Sequence, residues 1–341
     1  MSAAFVTGAT GLVGTRLVYD LLRKGYRVKA LKRPQSNISQ VRQTFAFYTD
    51  TKEANLLFQN IEWVDGELLD FESISEAIDG CTQAYHAAAV VSFSRADRDE
   101  MMHINVGGTA NIVNVCIEKK IPLCHVSSIA ALGRSSEPDG VITENDHWQT
   151  DRGRSAYSCS KYKAEMEVWR GIAEGLQAVI VNPAVILGAG DWTKGSLKFF
   201  SQTHKGLRFH TPGVTGYVDV RDVNRCMIQL MEEQRFRERF ILSAGNLSYR
   251  DLFTQISNCL GVKPPDIAAK PWMLNIAWRI AMIMSAITGK KPFMTKETAK
   301  SAFQQLRYSS EKIQYNFIPL NKCIEDCAIQ KVRTSANLCG L

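Results

Sequence analysis

Tyr157 and Lys161 stand four residues apart in the run YSCSK. On a helix that spacing puts a phenol and an ammonium on one face. The ammonium is then expected to lower the phenol pKa, making it a proton donor or acceptor near neutrality. Spacing alone says little, because Tyr48/Lys52 and Tyr308/Lys312 share it. Only the middle pair lies on a helical stretch inside a strand–helix alternation, with a polar strand end upstream. That strand end, HVSSIAALG, carries Ser127 and Ser128. A hydroxyl at the C-terminal edge of a parallel strand can hold and orient a substrate carbonyl. Taken singly, serines there read better as turn formers.

A different chemistry is suggested by TGATGLVG, with Gly8, Gly11 and Gly14 at the end of the first apolar run. Glycines here allow a tight strand-to-helix turn, close approach of backbone to a pyrophosphate, and close packing of helix on strand. The helix start that follows, with Thr10, Leu12 and Val13 around it, offers free N–H groups to phosphates. The next strand ends VKALKRP, with Lys32 and Arg33 and no acid to accept a ribose 2′-hydroxyl. A guanidinium suits a 2′-phosphate, so NADP is the preferred cofactor and NAD the second choice. The bland alternative is a solvated basic strand end.

The elements that must position these groups are legible as an alternation. Strand-like runs open at Ala3, Tyr26, Ile61, Gln83, Pro122 and Gln177, and helical stretches such as LVGTRLVYDLLRKG and NVGGTANIVNVCIEKK lie between several of them. This pattern indicates an α/β fold, a parallel, doubly wound sheet. After Gly188 the rhythm loosens. A strand and helix return over about 217–245, and residues 189–216 and 246–330 are expected to form a smaller, mainly helical C-terminal substrate lobe, with 331–341 a basic tail.

The chain has 341 residues, 45% hydrophobic and 22% charged, enough for a large core and too apolar for disorder. Its net charge of +7 is concentrated, with 11 basic and 4 acidic residues from Lys270 onward and 30 of each before it. Two readings fit: a solvated basic face, or a lobe that rests on an anionic membrane to collect a lipophilic substrate. The apolar run Trp272–Ile287 is 16 residues long and contains Asn275 and Arg279, too short to span a bilayer. Nine scattered cysteines without metal spacing suggest reduced thiols, no metal site and a cytoplasmic location. No signal peptide and no basic stripe for nucleic acid are read.

Together, TGATGLVG, GELLD (66–70), HAAA (86–89), NVGGT (105–109), SSIAALG, YSCSK and NPAVILG (182–188) resemble the extended short-chain dehydrogenase/reductase superfamily, in order from residue 3 to about 330. The resemblance implies a Rossmann-type domain and a catalytic triad of Ser128, Tyr157 and Lys161. It also implies adenine contacts at Glu67 and Leu68, and a cofactor lining drawn from Ala87, Ala88, Ala89, Asn105, Ser127, Pro183 and Val185. Subunit pairing through the helices from about Asp97 and Ser155 would give a homodimer. Dehydratases of this superfamily carry Thr-Asp-Glu where this chain has Ser128, Ile129 and Ala130. Sugar-nucleotide epimerases often have Asn and Tyr where Val185 and Leu187 stand, which favours a less polar substrate.

The NP-type motif, the RP-ending second strand and ENDHW (144–148) look like dihydroflavonol and cinnamoyl-CoA reductases, although Gly133 replaces the Asn of plant dihydroflavonol reductases. The Trp-rich apolar helix and TGKKPFMT (288–295) look more like 3β-hydroxysteroid dehydrogenases and hopanoid-associated epimerase relatives. The leading expectation is NADP-dependent reduction of a carbonyl, or oxidation of the secondary alcohol, in a small, relatively apolar substrate. The alternatives are an NAD-dependent sugar-nucleotide epimerase and a non-catalytic dinucleotide sensor. An intact triad argues against the sensor.

Overall fold

The structure, a computed structural model, describes residues 2–135, 139–289, 292 and 294–338. Lys290, Lys291 and Phe293 of the TGKKPFMT run, and Cys339, lie outside the described residues.

Seven strands build the central sheet: β1 Ala3–Thr7, β2 Arg27–Lys32, β3 Ile61–Asp65, β4 Gln83–His86, β5 Leu123–Val126, β6 Ala178–Pro183 and β7 Glu238–Leu242. Their order is β7-β6-β5-β4-β1-β2-β3, and every neighbouring pair is parallel. The continuous apolar runs follow from burial on both faces. Along β1, Ala4 and Val6 enter one core cluster while Ala3 and Phe5 enter the other; β6 divides Val179 and Val181 from Ala178 and Ile180 in the same way.

The first face is covered by α1 (Leu12–Arg23), and the second by α2 (Gly108–Lys119) and α3 (Ala156–Ala173). The return helix α4 (Val220–Glu232) packs beside α1 through Val223, Cys226 and Met227. A π-turn, His103–Gly107, leads into α2. Gly171 lets α2 and α3 close up, since a Cβ there would sit 2.5 Å from Val113 Cγ1.

Beyond the sheet, the short strands Val185–Leu187, Val214–Asp219 and Gly245–Ser248 pair into a second, three-stranded sheet. Against it lie α5 (Tyr249–Leu260) and α7 (Leu320–Leu338), sharing a core of Tyr217, Leu252, Phe253, Ile256, Cys323, Ile324 and Cys327. The backbone of α7 runs on through residue 338, so 331–338 continue a helix begun at Leu320. Arg221 ties this lobe down by pairing with Asp219 at 2.6 Å and Asp326 at 2.8 Å. Between α5 and α7 lies α6 (Pro271–Thr288), which rests on a small separate cluster of Ala269, Leu274 and Ala299. Among the described residues no helix is long and apolar enough to cross a membrane.

Candidate active site

The glycine loop is built as its spacing predicts. Gly8 has φ +71°, and a Cβ on it would lie 2.6 Å from the Ala88 nitrogen. On Gly14 a Cβ would meet the Gly8 carbonyl oxygen at 2.1 Å. The loop floor is therefore bare backbone, and α1 opens at Gly11 without a side-chain cap. These residues fit a dinucleotide pyrophosphate: Thr10, Leu12 and Val13 surround a helix start whose N–H groups can face an anion. The Ala87–Ala88 segment is fastened over the loop by β1, with Ala87 N–H donating to the Thr7 carbonyl (3.3 Å) and Ala88 N–H to Thr7 Oγ1 (3.3 Å). Ala89 is exposed just beyond.

At the end of β2 the two basic residues part company. Strand register puts Lys32 opposite Asp65, and the two side chains form an ion pair. Arg33 is exposed with no acidic partner among the described residues. Glu67 is exposed, while Leu68 is half-buried where a Cβ on Gly108 would touch it at 2.8 Å.

The reactive residues meet where β5 ends. Pairing with β6 continues to Ser127, whose N–H donates to the Val181 carbonyl at 2.8 Å. Ser128 then caps a short 3-10 turn, its Oγ accepting the Ala130 N–H at 3.1 Å. Ser128 thus helps form the turn through its oxygen, which leaves its hydroxyl proton available to a second group. Tyr157 lies in the first turn of α3, which Ser155 caps by accepting the Ser158 N–H at 3.0 Å. Burial pushes the Tyr157 phenol up, and a hydrogen bond with Ser128 opposes that rise.

Lys161 is 3% exposed and donates to the Val126 carbonyl at 2.8 Å. Burial brings its pKa down to about 8, with Glu165 pulling the other way. The expectation that the ammonium lowers the phenol pKa is thus corrected. The amine is turned onto β5, and desolvation governs both groups.

Asn105 and Ser127, expected among the cofactor contacts, spend their side chains inside the protein. Asn105 sits in the π-turn, accepts the Val90 N–H at 2.7 Å, and donates to the Val90 carbonyl (3.0 Å) and to Ser160 Oγ (3.1 Å). It therefore joins the loop after β4 to the helix that carries Tyr157. Ser127 Oγ donates to Glu165 Oε2 at 2.5 Å. The same carboxylate accepts from Asn182 Nδ2 (2.8 Å), Trp169 Nε1 (3.2 Å) and Arg239 Nη1 (3.3 Å). Asn182 also donates to the Ser128 carbonyl at 3.0 Å.

This fully buried Glu165 hub was missed in the sequence. Its one local signal is a position four residues after Lys161. Pro183 ends β6 in the core, and half-buried Val185 opens the next short strand. His86, held between Thr7 Oγ1 (2.7 Å) and Thr109 Oγ1 (3.0 Å), has its pKa brought down to about 3 by burial and is neutral.

Further groups surround the reactive pair. The ring of Phe93, itself 43% exposed, meets Tyr157 edge-on at 5.7 Å between centroids. The ENDHW segment is a clamp: Glu144 accepts the Ile241 N–H at 2.8 Å, and Trp148 stacks on Tyr162 of α3 at 4.6 Å. Gly133 cannot carry a side chain, because a Cβ would lie 2.2 Å from the His147 carbonyl oxygen.

A profile of the NAD dependent epimerase/dehydratase family matches residues 4–242, from β1 through the end of β7. The chain belongs to that family. Within it, the chain is 30% identical over 328 residues to a putative dihydroflavonol 4-reductase of Synechocystis sp., covering 90% of this chain and 87% of that one. It is 27% identical over 262 residues to cinnamoyl-CoA reductase 1 of Petunia hybrida, covering 74% and 75%. The crystal structure of gox2253 superposes with a TM-score of 0.79 at 28% identity, covering 98% of this chain and 99% of that one. As a family member with reductase relatives, the chain is an NAD(P)-dependent oxidoreductase of the extended short-chain dehydrogenase/reductase type.

Proposed function

We propose that this chain reduces a carbonyl on a small, relatively apolar substrate with NADPH, using Ser128, Tyr157 and Lys161. The observation that carries the reading is the meeting of Ser128 and Tyr157 at the C-terminal end of β5 above the buried Lys161, where open α/β sheets bind their ligands. NADPH, when bound, supplies hydride. Ser128 and Tyr157 hold the carbonyl oxygen between two O–H donors, and Tyr157 gives up its proton to that oxygen as negative charge develops. Lys161, protonated at neutral pH, lies one turn along α3 and holds the ribose side of the site.

Arg33, exposed at the end of β2 and without an acidic partner among the described residues, supports the NADP preference, with Lys32 already engaged by Asp65. Phe93 beside Tyr157 supplies an apolar wall, in keeping with a substrate less polar than a sugar diphosphate. The named reductases among the relatives support reduction over epimerisation. The test is a panel of ketones and aldehydes followed by NADPH absorbance, with Tyr157→Phe as control. That variant is expected to lose at least about 1,000-fold in kcat while still binding NADPH. Retained turnover would remove Tyr157 from the mechanism. Purified protein carrying NAD that does not exchange would point to an epimerase instead.

A further inference from the structure

Helix α6 has two apolar faces, and the described residues cover only one of them. Leu274 packs in the small cluster with Ala269 and Ala299, Trp278 lies at its edge, and Ala281 is buried on the same side of the helix. The other side carries Trp272, Ile276, Ile280, Ile283 and Ile287, spaced four, four, three and four residues apart, so they form one stripe. All five are exposed, from 49% at Ile280 to 79% at Ile287, and Met282 and Met284 widen the stripe. Among the described residues, most of the exposed large hydrophobic side chains are on this one helix. A patch of that kind marks a surface that meets something apolar.

Charge identifies the occupant. From Ile267 to Lys296 the sequence has five bases (Lys270, Arg279, Lys290, Lys291 and Lys296) and no acid. Lys270, Arg279 and Lys296 are exposed. Arg279 lies over the Trp278 ring at 4.7 Å and donates to the Asn275 carbonyl at 2.6 Å, and it forms no ion pair among the described residues. An apolar stripe in a segment whose charged residues, from 267 to 296, are all cations complements a layer that is hydrocarbon within and negative at its surface. A second copy of this chain is a poorer fit. A two-fold contact through α6 would set this acid-free, basic segment against itself.

We propose that α6 docks the protein on the surface of an anionic lipid bilayer, lying in the interface with the Trp272–Ile287 stripe inserted. The inference is independent of the substrate reading and concerns a surface outside the Ser128–Tyr157 site. The test is flotation of the full chain with vesicles of phosphatidylcholine and phosphatidylglycerol in equal parts, and with phosphatidylcholine alone, at low and high salt. The protein is expected to float with the anionic vesicles and to lose most of that binding in neutral vesicles or high salt. Ile283→Glu, at an exposed position, is expected to weaken partitioning by at least about tenfold with unchanged circular dichroism. Absence of flotation with anionic vesicles overturns the proposal, as does equal flotation of the Ile283→Glu variant. An oligomer by sedimentation that Ile283→Glu converts to a smaller species, without vesicle binding in either protein, assigns the stripe to a second copy.

Discussion

Replacing Lys161 by Met should make the protein more stable while destroying its activity. Lys161 is 3% exposed, and burial takes its pKa from 10.5 to about 8. A displacement of that size means the folded chain disfavours the charged amine over the neutral one by roughly 3 kcal/mol. Methionine is close in shape to an uncharged lysine, so Lys161→Met removes that cost. It also removes the 2.8 Å hydrogen bond to the Val126 carbonyl, worth about 1 kcal/mol. The net expectation at pH 7 is a gain of roughly 2 kcal/mol.

The sign of the pH dependence follows from the lowered pKa. Between pH 8 and 10.5 the unfolded chain binds more protons than the folded one, so wild-type stability rises through that window from this group. The variant lacks the rise, so its advantage is full below pH 8 and by about pH 10.5 has turned into a deficit of about 1 kcal/mol, the lost hydrogen bond. Urea unfolding of both proteins at pH 7 and pH 10 measures the difference, and every other titrating group cancels in the comparison. A less stable variant at pH 7, or an advantage that does not change with pH, would refute the reasoning that Lys161 is held at a cost for function.

Two further predictions concern the cofactor. Arg33→Ala is expected to weaken NADPH binding by roughly 10- to 100-fold, the worth of a charge-assisted contact, and to leave NADH binding unchanged. Equal losses for both, by fluorescence titration, would mean Arg33 does not read the 2′-phosphate. Gly14→Ala places a Cβ 2.1 Å from the Gly8 carbonyl oxygen, a backbone atom that cannot step aside. It is expected to abolish dinucleotide binding and to cost about 1–3 kcal/mol of stability, read by titration and by unfolding; full binding would show that α1 need not approach the loop so closely.

Much of the fold is visible in short-range pattern. The six runs opening at Ala3, Tyr26, Ile61, Gln83, Pro122 and Gln177 all became strands of one parallel sheet, because strand periodicity and flanking turns are local properties. The glycine loop and the Tyr157/Lys161 pair were equally local, each set by spacing within a single turn or helix. Asn105 and Ser127 were read as cofactor contacts from motif position, yet their partners, Val90 and Glu165, are fixed only when separate elements pack.

The sequence by itself determined which side chains could do chemistry and which elements would carry them. Tertiary structure decided what state those side chains are in. Glu165 gathers Ser127, Asn182 and Arg239 from positions 38, 17 and 74 residues away, a convergence that no local pattern encodes. Register between β2 and β3 divided the basic pair, giving Lys32 to Asp65 and leaving Arg33 exposed. The +7 charge excess shows the same division. Its placement after Lys270 is plain in the sequence, whereas the uncovered stripe on α6 appears only once packing has chosen which face of an apolar helix to bury. Burial and pKa depend on the surroundings of a group, and those surroundings come from distant parts of the chain.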